Sequence, residues 1–201
     1  MKQQKTQKEI KHTKKNAESL SYTVEVRDKE GRVIQRISAP SRSYVEQWNQ
    51  ILNVQASGAS KTIKDTGGTE RDISYHSVAL ACNAGISGTG KGIQVGKGTT
   101  AVAITDYALE TPLSEGTGTD EFNHQAVTFT EPSIVASTCS FTIKRIMVNN
   151  SGATISGIKE IGCYVQTTAA YHQGFRDVLG SAVDVPDGGA ITVEYTLAVT
   201  V

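Results

Sequence analysis

The sequence predicts a mainly β protein: an antiparallel β-sandwich or jelly-roll-like domain, preceded by a β-hairpin, one α-helix and a basic N-terminal arm. Three observations carry this. In residues 137–165, Cys139, Phe141 and Ile143 alternate with Ser140, Thr142 and Lys144, a period of two that sends one row of side chains inward and the next to water. The closing run sets Ile191, Val193, Tyr195, Leu197 and Val199 against Thr192, Glu194, Thr196, Ala198 and Thr200, the cleanest such pattern in the chain. Finally, Gly is abundant at 19 residues while aromatics make up only 6%, and turn signals recur between short apolar runs, as in sandwiches and barrels. The domain organisation read from this is an arm over 1–20, a hairpin and helix over 21–57, and the sandwich over 58–201.

The arm carries Lys2, Lys5, Lys8, Lys11, Lys14 and Lys15, with Ile10 the one sizeable aliphatic between Met1 and Leu20. Too little apolar surface is present to offset the entropy of ordering it. Two readings stand: a solvated charged tail, or an arm that orders against an acidic neighbour or a polyanion. Residues 22–26 and 33–37 flank a turn containing Gly31, which predicts a hairpin closed off by Pro40. Ser43 with Glu46 three positions on reads as a capping box. Tyr44, Val45, Trp48, Ile51 and Leu52 follow at helical spacing, giving a helix of about three turns with one apolar stripe. Trp48, the single Trp, is expected to anchor packing.

Residues 55–71 read as a polar linker, 72–82 as a strand, 83–98 as a glycine-rich loop and 100–104 as a short strand. Pro112 marks a turn or edge, and 125–130 alternate as a strand. Residues 149–152, Asn-Asn-Ser-Gly, turn the chain cheaply, so 137–165 predict a β-hairpin buried on one face. Residues 171–180 read as a helical turn or loop, and 185–189 as a tight turn before the last strand.

The formal net charge of +0 over 201 residues advertises neither nucleic acid nor membrane as a partner. Three widely spaced cysteines, Cys82, Cys139 and Cys163, form no CxxC pair, which favours free thiols in a reducing compartment. The first residues lack an apolar run of the secretory type, so synthesis in the cytoplasm is expected. Gly85 to Gly92 fits GxxxxGK with Lys91, yet Gly92 stands where a phosphate-binding loop needs Ser or Thr, and glycines break the helix that should follow. His76, His124 and His172 show no ligand spacing with the cysteines and are expected at the surface, with the thiols in the core. The acid pairs Asp120/Glu121 and Asp177/Asp184 read as turn-side carboxylates. No Ser, His and Asp stand out as a set. No catalytic residue, cofactor or metal is expected.

Motifs along the chain resemble a family of virion structural proteins from tailed phages and related viruses. They are residues 93–100 (IQVGKGTT), 105–113 (TDYALETPL), 140–145 leading into 149–152 (SFTIKR, NNSG), 160–164 (EIGCY), 176–179 (RDVL) and 186–189 (PDGG), with the helix start at 40–45. The likeness spans about residues 22–201 and leaves out the arm. It implies a β-rich, non-enzymatic virion component made in the host cytoplasm: a capsid auxiliary or decoration subunit, or a tail- or fibre-associated one. Its partners would be copies of itself and major capsid or tail proteins, with nucleic acid at the arm a further option and no membrane. A different class, a carbohydrate-binding jelly-roll for host attachment, would need exposed aromatics, for which Tyr75, Tyr107, Tyr164 and Tyr171 are the candidates. An enzyme would need titratable side chains gathered in one cleft.

Overall fold

A computed structural model describes residues 17–41 and 43–201. The arm lysines, Lys2, Lys5, Lys8, Lys11, Lys14 and Lys15, lie outside the described residues.

The elements in chain order are β1 (Ala17–Arg27), β2 (Val33–Ser41), α1 (Glu46–Ser57), β3 (Lys61–Lys64), β4 (Glu70–Ile73), β5 (Gly92–Gly96), β6 (Ser114–Glu115), β7 (Glu121–His124), β8 (Thr128–Phe129), β9 (Ser133–Val135), β10 (Thr138–Val148), β11 (Ile155–Gln166), β12 (Tyr171–Val185) and β13 (Ala190–Thr200). The fold is mainly β, as expected. The larger sheet runs β2-β1-β13-β10-β7-β6, with β8 and β9 also on β10; the smaller runs β12-β11-β5, and β3 and β4 form a hairpin. All pairs are antiparallel except the short β6–β7 pair.

The two sheets share one core. Val24, Val26, Met147, Ile191, Val193 and Tyr195 point in from the larger sheet, and Ile158, Ile161, Cys163, Phe175 and Val183 from the smaller. Across the layers the Phe175 and Tyr195 rings meet edge to face, with centroids 4.6 Å apart. Helix α1 caps this core through Ile51 and Val54, and its Trp48 packs on Phe175 and Tyr44. The alternation of β13 is realised from Ile191 to Leu197, where Ile191, Val193, Tyr195 and Leu197 are all buried, but Val199, expected in the same inward row, is exposed at the strand's end. β1 extends the sheet four residues beyond the predicted arm boundary, because Leu20 pairs with Leu197 and is itself buried.

The hairpin expected from 137–165 does not form. β10 pairs with β13 along one edge and with β7, β8 and β9 along the other, so no hydrogen-bonding edge remains for β11. Residues 149–154 instead arch from one sheet to the other. The buried Asn149 amide donates to the Ala153 and Val185 carbonyls, both at 2.8 Å, and its Oδ1 accepts from Ser151 N. Alternation records which face is buried, and it is silent on which strand lies alongside.

Several shorter expectations also fail. Of 72–82 only the start is strand, paired in β4, and 100–104 form no strand. Of 125–130 only Thr128–Phe129 pairs. The linker 55–71 contains β3 and the start of β4, which continues to Ile73. Residues 171–180 belong to the long strand β12; its polar residues hid the pattern because His172, Gln173, Arg176 and Asp177 are all buried. The Ser43 capping box is absent: Val45 is the N-cap without a side-chain bond, and the Ser43 hydroxyl meets that of Ser41.

Replacing Asn149 by Ala should orphan the Val185 carbonyl and cost roughly 1–3 kcal/mol. Denaturant unfolding of the two proteins checks this; an unchanged midpoint would show that the arch does not depend on the amide.

Candidate functional site

The motif residues that lie far apart in sequence converge on one buried ion pair. Glu160 of β11 is fully buried and Arg176 of β12 is 2% exposed; Arg176 Nε donates to Glu160 Oε2 at 3.0 Å. Glu160 also accepts from the backbone N–H groups of Gly98, Glu110 and Thr111 at 2.7–3.0 Å. Arg176 spends its remaining donors on Asp106 at 2.8 Å and on the Thr100 carbonyl at 3.1 Å. Glu110 in turn accepts from Thr99 N, Thr100 N and the Thr100 hydroxyl. Burial alone would lower the Arg176 guanidinium, but bonds from Glu160 and Asp106 and their charges hold it above its ordinary value. The segment 97–113 is thereby laid over the outer face of the smaller sheet, which explains why residues 160–165 are all buried. Gly98 is required there, since a Cβ would lie 2.6 Å from Glu160 Oε1.

This segment borders a cleft of about 550 Å³ lined by Thr66, Thr100, Thr105, Asp106, Tyr107 and Glu110. Tyr107 is 39% exposed, with the Lys64 ammonium 5.3 Å from its ring centre, a cation–π distance. Of the other candidate aromatics, Tyr75 and Tyr171 are exposed, whereas Tyr164 is buried and donates no face to solvent. Its hydroxyl accepts from Leu109 N at 3.0 Å, and burial pushes its pKa up to about 12. Tyr164 is therefore a structural residue and no ligand aromatic.

The GxxxxGK segment is organised in the opposite sense to a phosphate-binding loop. The buried Arg145 donates to the carbonyls of Gly88 (2.6 Å), Ile93 (3.0 Å) and Gln125 (2.8 Å). The loop thus turns carbonyl oxygens onto a cation, where a phosphate cradle needs N–H groups. Among the described residues Arg145 has no carboxylate bonded to it, and burial lowers its pKa to about 10.

Both His124 and His172 are buried, contrary to the surface placement expected. His172 lies between the Lys64 carbonyl (3.0 Å) and the Thr167 hydroxyl (3.1 Å). His124 Nδ1 meets Glu115 Oε2 at 2.8 Å, and Ser87 donates to Glu115 Oε1 at 2.9 Å. A Ser, a Glu and a His thus meet in space, but the carboxylate sits between the other two. The serine is bonded to the carboxylate rather than to the imidazole, which is not the relay a nucleophile needs. Burial lowers the pKa of both histidines. Asp177, expected beside a turn, is buried in β12 and accepts from Ser41 (2.9 Å) and Tyr195 (3.0 Å), with no cation bonded among the described residues; burial raises its pKa, only partly countered by those bonds. Among the described residues no three His, Cys, Asp or Glu are placed to hold a metal ion, and no helix is long and apolar enough to cross a membrane.

The remaining feature is an apolar groove of about 430 Å³ beside the start of β1. Tyr44, Trp48, Leu52, Cys139, Phe141 and Val199 line it, with Glu18 the one charged residue among the described residues. Leu52 is 40%, Val199 54% and Ile134, opposite Cys139 in the β9–β10 pair, 77% exposed. No family model, curated protein or solved structure matches this chain.

Glu160, Arg176, Arg145 and Asp177 were not singled out by sequence reasoning as a site, though the glycines at 96 and 98 and the EIGCY run were the available signal. Arg176→Met should cost about 3–5 kcal/mol, because it strands a buried carboxylate. Adding Glu160→Met should not restore stability, since three backbone N–H groups then lose their acceptor; recovery in the double variant, measured by denaturant unfolding, would refute this account. Asp177 protonates more readily folded than unfolded, so it contributes stability below the ordinary carboxylate range that is lost as pH rises through its own raised pKa. Asp177→Asn should therefore gain on the wild type as pH rises; parallel pH profiles of the two proteins would contradict this.

Proposed function

We propose that this chain is a non-enzymatic virion structural protein of a tailed phage or related virus, a capsid auxiliary or decoration subunit that joins neighbouring copies of itself through its N-terminal arm and the groove beside it. The observation that carries the reading is the place where the arm enters the sheet. Ala17 pairs with Thr200, and the next pair, Glu18 and Val199, borders the apolar groove. Exposed side chains such as Ile134, Val199 and Leu52 collect at that rim, and large exposed apolar patches mark contact surfaces. A lysine-rich sequence leading into the strand that borders such a rim suits a subunit locked into an assembly by an apolar contact and a charged strap. The particle setting comes from the resemblance in the motifs, whose residues also build the Glu160–Arg176 cluster.

Tail or fibre association is the alternative within the same class. A glycan-binding reading has Tyr107 at the cleft in its favour. Against it, Lys64 lies over that ring and Glu110 is engaged by its own loop.

Deleting residues 1–16 spares all of β1. The variant should fold with an unchanged circular dichroism spectrum and lose self-association in sedimentation. Val199→Asp should weaken association about tenfold or more, since a buried aliphatic contributes on the order of 1.5–3 kcal/mol. Self-association equal to that of the full chain in both variants would overturn the proposal.

A further inference from the structure

Cys82 and Cys163 reach one interior space from distant parts of the chain. Cys163 lies midway along β11 and is fully buried; Cys82 follows Ala81, which bridges to Gln166 of the same strand through a 2.8 Å bond from Gln166 N to the Ala81 carbonyl. That bridge brings the segment carrying Cys82 alongside β11. Both cysteines line a cavity of about 430 Å³ between the sheets, walled by Trp48, Phe141, Phe175 and Leu197. Phe129 and Asn83, which also line it, are exposed, so the space opens to solvent there. The Cys163 thiol donates to the Tyr164 carbonyl at 3.8 Å. Cys139 lines the outer groove instead.

We propose that Cys82 and Cys163 form a reversible disulfide, a redox latch that ties the glycine-rich segment 82–92 to strand β11. The reaction is exchange with a small-molecule disulfide able to enter the cavity. Cys82 attacks as thiolate, since the neighbouring Cys163 side chain and the Lys91 charge hold its pKa below the ordinary thiol value despite burial. One S–S bond of the reagent breaks, a mixed disulfide forms on Cys82, and the first thiol leaves with the proton. Cys163 then attacks the Cys82 sulfur, loses its proton to the second leaving thiol and closes the ring. The protein thiols lose two electrons and the reagent disulfide gains them. Closing so long a loop restricts the unfolded chain, so the oxidised protein gains stability. The inference does not rest on the particle reading.

The experiment uses the full chain with Cys139→Ser, which removes intermolecular pairing and leaves the cavity thiols native. It is incubated with bis(2-hydroxyethyl) disulfide or with dithiothreitol, then examined by intact mass and peptide mapping. The expected result is a chain lighter by two hydrogen atoms, a cross-linked peptide joining Cys82 to Cys163, and a thermal midpoint that rises on oxidation and falls back with dithiothreitol. Both thiols still open to alkylation after denaturation would overturn the proposal, as would a mercaptoethanol adduct that persists on Cys82 with Cys163 free.

Discussion

Taking the Glu160 carboxylate and the Arg176 guanidinium out of water costs several kcal/mol per ion, and the fold offsets that cost with one another's charge and a full set of hydrogen bonds. The carboxylate accepts from Arg176 and three backbone N–H groups; the guanidinium reaches Asp106 and the Thr100 carbonyl as well. Charge-assisted bonds of this kind are the strong ones. Their effect is architectural. They hold a segment with no strand of its own between Gly96 and Ser114 against the smaller sheet, and so give β11 a second buried face.

The same device recurs with other chemistry. Among the described residues, Arg145 gathers the carbonyls of the glycine-rich loop without a carboxylate bonded to it, and Asp177 is held by hydroxyls without a bonded cation. Each buried group is satisfied locally, which is the condition for tolerating it in a dense interior. The consequence is that Glu160, Arg176 and Arg145 each hold a loop in place. Two apolar spaces lie apart from these clusters: the groove beside the start of β1 and the chamber holding two thiols.

Local pattern was a good guide where one face of a strand is wet. β13 and the β1–β2 hairpin were legible because Ile191, Val193 and Tyr195, or Val24 and Val26, alternate with polar neighbours. β12 was not, because its polar residues are buried as well and the alternation vanishes. The histidines were misplaced for a related reason: His124 and His172 sit in the interior because Glu115, Thr167 and a backbone carbonyl supply their partners, and those partners come from other strands or turns.

From its residues alone the chain determined its class, the inward row of each wet-faced strand, the position of its helix and the turn before its last strand, since these rest on periodicity and backbone preference within a few residues. Tertiary structure decided which edges pair, why the Asn149 arch crosses between sheets, and where Glu160 and Arg176 meet. Those outcomes depend on edges already occupied and on charges finding partners far away in the chain, and neither condition leaves a trace in local pattern.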